Sequence, residues 1–346
     1  MSSVPVCFAN LVNLADRTLD ARVVGASDDY FAAAENLITP GPAAFDAGKF
    51  TDRGKWMDGW ESRRRRGPGH DWCILELGVT GECAAFDIDT QHFNGNQPAF
   101  ASIDGALGPA GASVEELRDI RWQELLPQVP LQATTQNLFA AEQRAEVNYL
   151  RLNIFPDGGV ARLRAFGRVL PRWSNAAIDE LTAARVRPGA VDLAALKNGA
   201  IPVACSNAHF APMHQLIAPG RARHMGGGWE TRRRRGPGHD WIIVALAARG
   251  RPELVEIDTN HFKGNYPDRC SLELLDCPGV PRATDLIESG GWQTLLPETR
   301  LGPDARQFFD ELPDLIATHV RLNVFPDGGV SRLRLWGRRV LPGAEG

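Results

Sequence analysis

Polar and apolar positions along this chain repeat with the period of β-strands far more often than with that of helices. Trp72-Cys-Ile-Leu-Glu-Leu and Trp241-Ile-Ile-Val-Ala-Leu are short apolar runs bounded by glycine, as buried strands are. Ala84-Ala-Phe-Asp-Ile-Asp and Leu254-Val-Glu-Ile-Asp alternate, which predicts Asp87 and Asp89 on one strand face and Phe86 and Ile88 on the other. Tyr149-Leu-Arg-Leu-Asn-Ile-Phe and Val160-Ala-Arg-Leu-Arg-Ala-Phe-Gly flank Pro-Asp-Gly-Gly. Proline presets φ there and glycine permits its positive values, so the spacing predicts a hairpin. Arg162 and Arg164 share a face opposite Leu163, as Arg332 and Arg334 do opposite Leu333, and a solvated face is expected for them. Residues 113–126 and 284–296 are expected to add a short helix apiece. Asn175 to Arg187 offers an Asn cap and good helix formers before Pro188-Gly189 stops them, which predicts a short helical link. Many short strands, Gly/Pro turns and few helical periods indicate an all-β chain of antiparallel sandwich or jelly-roll type.

The pattern occurs twice. Gly-Trp-Glu-Ser-Arg-Arg-Arg-Arg-Gly-Pro-Gly-His-Asp-Trp, from Gly59 to Trp72, returns almost unchanged from Gly228 to Trp241, an offset of 169 (228 − 59). Asp87-Ile-Asp-Thr-Gln-His-Phe-Asn-Gly-Asn returns from Glu256 at the same offset. Trp122-Gln-Glu-Leu-Leu-Pro and Arg151-Leu-Asn-Ile-Phe-Pro-Asp-Gly-Gly return from Trp292 and Arg321. Ser27 to Phe31 matches Ser206 to Phe210, so the first copy has additional residues before its Gly-Trp-Glu. A period this long marks a duplicated domain, since solenoid repeats run about 20–50 residues. The division expected is a first repeat over residues 1–172, a linker over 173–190 and a second repeat over 191–346.

Composition narrows the class. A chain of 346 residues exceeds the usual growth of one core, which also favours two domains. Hydrophobic residues at 43% and charged residues at 23% describe a globular protein, and a net charge of −4 argues against a dedicated polyanion binder. No apolar run approaches the roughly 20 residues of a membrane span. Asp16 and Arg17 stand where a signal peptide needs an apolar core, so no membrane association and a cytoplasmic location are expected. The six cysteines include no Cys-x-x-Cys, and none has a counterpart in the other copy. Free, mostly buried thiols are expected, because a disulfide framework or zinc site would have been duplicated.

Four histidines, His70, His92, His239 and His261, hold paired positions, each near a carboxylate: Asp71, Asp89, Asp240 and Asp258. Such a pair suits general acid-base chemistry near neutrality, and a structural turn with a capping Asp is the competing reading. Asp/Glu-x-Asp-x-x-His makes Asp89, His92, Asp258 and His261 candidate ligands of a divalent metal, or a polar loop that bonds its own backbone. No cofactor is otherwise indicated. In the arginine runs, Arg63 and Arg65, like Arg232 and Arg234, suit a planar carboxylate or ureido oxygen, with Glu61 or Glu230 holding the guanidinium fork. A nucleic-acid interface is disfavoured: no stacking aromatics interleave with these arginines. No Gly-x-Ser-x-Gly or phosphate-binding loop occurs, and no Ser or Cys sits beside a His in both copies. Activated water is therefore preferred to a covalent nucleophile.

The three long motifs, each present twice, resemble those of the allantoicase family over essentially the whole chain. The resemblance implies two tandem jelly-roll domains of the galactose-binding-like type, a homo-oligomer, and hydrolysis of allantoate to ureidoglycolate and urea in purine breakdown. Releasing intact urea breaks the bond from the central carbon to a ureido nitrogen, so one acid, one base and a carboxylate clamp suffice. His70 or His239 and His92 or His261 are the candidates for proton transfer, with Asp71 and Asp240 beside them. Arginines within 63–66 and 232–235 are the candidates for the clamp. The fold also suggests a second reading, a non-catalytic sugar-binding or small-ligand-binding module.

Overall fold

In the computed structural model, residues 11–171, 173 and 179–341 are described. The first repeat runs β1 (Val12–Asn13), β2 (Arg22–Ala26), β3 (Phe50–Thr51), β4 (Gly54–Lys55), β5 (Trp60–Glu61), β6 (Asp71–Asp89), β7 (Phe100–Ala106), β8 (Gln123–Pro130), β9 (Gln136–Ala140), β10 (Glu146–Phe155), β11 (Gly159–Val160) and β12 (Arg162–Val169). After α1 (Glu180–Ala183), the second repeat runs β13 (Val191–Asp192), β14 (Ile201–Cys205), β15 (Trp229–Glu230), β16 (Asp240–Asp258), β17 (Arg269–Leu275), α2 (Ala283–Ile287), β18 (Gln293–Arg300), β19 (Arg306–Phe309), β20 (Ala317–Phe325), β21 (Gly329–Val330) and β22 (Arg332–Arg339). The chain divides into two compact units, residues 1–171 and 172–346. Among the described residues, no helix is long and apolar enough to cross a membrane.

The two strands expected at Trp72–Leu77 and Ala84–Asp89 are one strand of 19 residues. Its first half pairs with β2 and β10, and its second half with β12 and β9. One strand therefore serves both layers of a jelly-roll sandwich: β2, β6, β10, β7 and β8 in the first, β1, β12, β6 and β9 in the second. Glycine makes the passage possible. A Cβ on Gly81 would lie 2.6 Å from a Leu14 methyl and 2.8 Å from the Arg168 carbonyl. Gly250 of β16 meets Leu193 and Arg338 in the same way, at 2.7 and 3.0 Å. The second unit repeats the sheet order strand for strand.

The period of two sorts the side chains of each layer. Cys73, Leu75, Ile103, Leu150, Leu152 and Ile154 of the first layer are all buried, as are Phe86, Ile88, Leu163 and Ala165 of the second. Each such aliphatic side chain contributes roughly 1.5–3 kcal/mol by leaving water. Trp60 and Trp229 are fully buried, and their indole nitrogens donate to the carbonyls of Asp28 and Asn207, both at 2.8 Å. Of the cysteines, Cys73, Cys83, Cys205, Cys270 and Cys277 are free; Cys7 lies outside the described residues. Burial pushes the Cys83 thiol up to about 12.

Several expectations are corrected. Pro-Asp-Gly-Gly joins β10 to β12, yet these strands do not pair with each other: β10 lies between β6 and β7, β12 between β6 and β1. The connection crosses between layers through β11, which pairs with β5. A local pattern shows that a turn occurs, whereas partners are chosen by the whole sheet. The Arg162 and Arg332 face is not solvated. Arg162 is 1% exposed and bonds the Asp58 carboxylate at 2.7 Å, and Arg332 is 5% exposed and caps the carbonyls of Gln215, Gly220 and Gly227. Residues 113–126 hold only a 3₁₀ turn, Glu116–Arg118, before β8 begins. The link helix is the single turn of α1, capped by Asp179, and Asn175 lies outside the described residues.

Candidate active site

The outer face of the first layer carries the polar side chains that the core face excludes. Register places Asn153 opposite both Trp72 and Ser102, and Arg151 opposite both Ile74 and Asp104. Side chains two apart on a strand share a face, so three neighbouring strands present His70, Trp72, Ser102, Asp104, Arg151, Asn153 and Phe155 to one cavity of about 550 Å³. Residues 107–122 fold back to wall it. Ala112 and Leu117 pack on Ile74, Ala106 and Tyr149, and Leu117 and Arg118 line the cavity.

The cavity is prearranged by hydrogen bonds. Arg151 donates from Nε and Nη2 to Asp104 Oδ2 at 3.1 and 2.9 Å, while its guanidinium stacks 4.7 Å from the Trp122 ring. Carboxylate and ring together hold the fork in one plane, which suits it to a planar oxyanion. Asn153 donates from Nδ2 to Ser102 Oγ and Asp104 Oδ2 at 3.1 and 2.9 Å. Those bonds fix the amide orientation, so Asn153 Oδ1 faces His70 Nε2 at 3.3 Å and accepts its proton-bearing side. The His70 ring also rests on Phe155, with centroids 4.5 Å apart. With Nε2 committed as donor, Nδ1 is the atom of His70 that can take up and deliver a proton.

The second repeat builds the same cavity, of about 600 Å³, from His239, Trp241, Ser271, Glu273, Arg321 and Asn323. Arg321 Nε lies 2.8 Å from Glu273 Oε2 and its guanidinium 4.6 Å from the Trp292 ring. Asn323 Nδ2 donates to Ser271 and Glu273 at 3.1 and 2.8 Å, and His239 rests on Phe325. Two cavities with the same polar set, each inside one repeat, tie the site to the duplicated motifs.

The family model of the allantoicase repeat matches residues 12–170 and again 191–340. A curated relative from Burkholderia mallei, named probable allantoicase 1, is 47% identical over 97% of this chain and 96% of its own length. Another from Ralstonia nicotianae, named probable allantoicase, is 47% identical over 94% of each. The chain belongs to the allantoicase family. The crystal structure of allantoicase from Saccharomyces cerevisiae superposes with a TM-score of 0.79 at 32% identity, covering 95% of this chain and 93% of that one. Membership of the allantoicase family and the tandem repeat are therefore as the motifs indicated.

Most other residues that the sequence singled out lie elsewhere. Asp71 is turned from His70, as neighbours at a strand start are, and receives Arg65 at 2.5 Å and Ser27 at 3.0 Å. Asp240 receives Arg234 and Ser206 at 2.6 and 2.9 Å. The expected His-Asp pairs are thus replaced by His-Asn contact and Arg-Asp bridges. Arg63 bonds Asp28 at 2.7 Å, and Arg232 meets His209 Nδ1 at 3.2 Å. Glu61 and Glu230 hold no arginine: they receive Asn96 and Asn265 at 2.8 and 2.6 Å, and burial raises the Glu61 carboxyl. His92 and His261 sit in left-handed backbone, φ 71° and 70°, and Nε2 donates to the carbonyls of Ala43 and Ala222. Asp89 accepts from the Gln91 amide, and Asp258 is engaged by Arg221. Among the described residues of either repeat, no three His, Cys, Asp or Glu side chains converge on one point.

The residues that sequence reasoning missed are Arg151, Asn153, Ser102 and Asp104 with their counterparts. Arg-x-Asn inside a duplicated strand motif was the available signal: two polar groups at i and i+2 on an otherwise apolar strand share a face that needs a partner.

Proposed function

We propose that this chain hydrolyses allantoate to ureidoglycolate and urea, and that the reaction is carried by His70 and His239 in the paired cavities. The supporting observation is the juxtaposition, twice over, of a histidine oriented by Asn with an arginine held by a carboxylate and a tryptophan. Allantoate carries a carboxylate and two ureido groups on one carbon. Arg151 or Arg321 takes the carboxylate through its outer edge. The histidine, as its cation, delivers the Nδ1 proton to the departing ureido nitrogen while the other ureido nitrogen pushes electrons toward the carbon. The carbon-nitrogen bond breaks, urea leaves, and an imine-like carbon remains. The now neutral Nδ1 takes a proton from water as its oxygen adds to that carbon, which restores the imidazolium. One group thus acts in turn as acid and base, and no covalent enzyme intermediate is required.

A sugar-binding module, the rival suggested by the fold, stacks an exposed aromatic face on a sugar ring. Here Arg151 and Arg321 cover one face of Trp122 and of Trp292. Assembly into a homo-oligomer and a cytoplasmic location belong to the same proposal; exposed Tyr30, Phe31, Phe45 and Phe50 support the former, and sedimentation checks it. Urea release from allantoate by the purified protein tests the activity. Release that survives replacement of both His70 and His239 by Asn would remove the site.

A further inference from the structure

The two cavities differ in the charge of their linings. Trp122 Nε1 donates to the Leu117 carbonyl and Trp292 Nε1 to the Leu286 carbonyl, both at 3.0 Å, which fixes the correspondence of the two walls. The next residue lines the cavity in each repeat: it is Arg118 in the first and Ile287 in the second. Arg118 is solvent-exposed. The first cavity therefore sets Arg118 and Arg151 against Asp104. The second sets Arg321 against Glu273 and Glu298, and Glu298 is in turn paired with Arg269 at its outer side. The cavities share their proton-transfer group and differ by a full charge at the wall facing a ligand.

We infer that the two cavities are not equivalent: the first binds anionic ureido carboxylates more tightly, with Arg118 as the specificity-determining residue, and the second binds them more weakly through Arg321 alone. This rests on the allantoate reading for its substrate but not for its charge preference. A guanidinium in a half-solvated wall, roughly 6 Å from a carboxylate, raises affinity on the order of tenfold at an effective dielectric of about 40, between that of a protein surface and that of water. Ile287 offers no such attraction, and Glu273 and Glu298 are each already held by an arginine, Arg321 and Arg269. The first cavity then carries most of the allantoate turnover, and the second, with the same histidine and arginine, the lesser part.

The test uses the full chain and two readouts. The first is calorimetric titration with N-carbamoylglycine, a ureido carboxylate without a second ureido group to lose, and with neutral urea as control. Arg118→Met, on an exposed side chain, is expected to weaken N-carbamoylglycine about tenfold without affecting urea. Ile287→Arg is expected to raise the second cavity to comparable affinity. The second readout is allantoate turnover: Arg118→Met raises KM with kcat nearly unchanged, and His70→Asn abolishes most activity while His239→Asn leaves most of it. Equal affinity of wild type and Arg118→Met for N-carbamoylglycine overturns the inference, as does greater loss with His239→Asn than with His70→Asn. If wild type releases no urea yet anion binding depends on Arg118, the allantoate reading fails and the charge asymmetry stands.

Discussion

Arg65 places Nη2 2.5 Å from Asp71 Oδ1, and that carboxylate side chain is only 2% exposed. Arg234 and Asp240 repeat the contact at 2.6 Å with the carboxylate 4% exposed. Within arginine runs that look like ligand-binding sequence, Arg65 and Arg234 thus anchor the loop that delivers each cavity histidine. The Arg65 backbone amide adds a bond to Asp157, and Arg234 to Asp327, tying the loop to the Pro-Asp-Gly turn.

Removing Arg65 strands a buried charge. Arg65→Met is expected to lower stability by about 3 kcal/mol, since breaking a buried pair from one side costs about 3–5 kcal/mol and Arg65 is itself partly solvated. Arg63, whose side chain is 63% exposed, pairs with Asp28 at the surface, and Arg63→Ala is expected to leave stability nearly unchanged. Urea unfolding of the two variants against wild type checks the contrast; equal losses would refute the structural role given to Arg65.

The Asn153 amide orients His70 without touching the reacting atoms. Asn153→Leu and Asn323→Leu together are expected to lower kcat for allantoate about 10–100-fold and to shift the alkaline limb of the pH profile, where the imidazolium is lost, with KM nearly constant. Replacing both histidines is expected to cost about 100–10,000-fold in kcat. Steady-state kinetics between pH 5 and pH 9, with folding confirmed by circular dichroism, distinguishes orientation from collapse.

Asp87 and Glu256 occupy matching positions but differ in partner. Arg306 sits 2.8 Å from Glu256, whereas Gln136 gives Asp87 a single hydrogen bond and Asp87 Oδ1 is buried without one. Burial, reinforced by Asp89, pushes the Asp87 carboxyl up from 3.8 to about 6. Between about pH 4 and pH 6 the folded chain therefore holds a proton that the unfolded chain has released, and stability falls as pH rises through that window. Asp87→Asn is expected to be more stable than wild type above pH 6 and to match it below pH 4. His214 and His319, pushed down by burial, contribute the opposite slope below neutrality in both proteins, so the difference between the two curves isolates Asp87. A flat difference would contradict the assignment.

Gly81 and Gly250 let β6 and β16 pass between layers. Gly81→Ala drives a Cβ into Leu14 and the Arg168 carbonyl, where backbone cannot yield cheaply. A loss of about 2–3 kcal/mol is expected, at the upper end for overpacking. The same replacement at Gly264, whose Cβ would meet open space, is the control, read by thermal unfolding.

The alternation of Asp87, Ile88 and Asp89 and the apolar run at Trp72 specified strands and their faces, because side-chain direction along a strand depends only on the local backbone. The duplication, the family and the antiparallel class were equally legible, being carried by long words repeated in order. Strand partners were not: that β10 and β12 both seek β6 rather than each other depends on hydrogen-bond competition across the whole sheet. The site shows the same division. His70 stood out as a residue type beside a carboxylate, but Asp71 points away from it along the pleat, and its working neighbour, Asn153, comes from a strand 83 residues distant. The sequence by itself determined the chemistry available, the repeat and the local face of each side chain; only the tertiary structure decided which faces meet, since that is settled by register between distant strands and by the charge each buried group requires beside it.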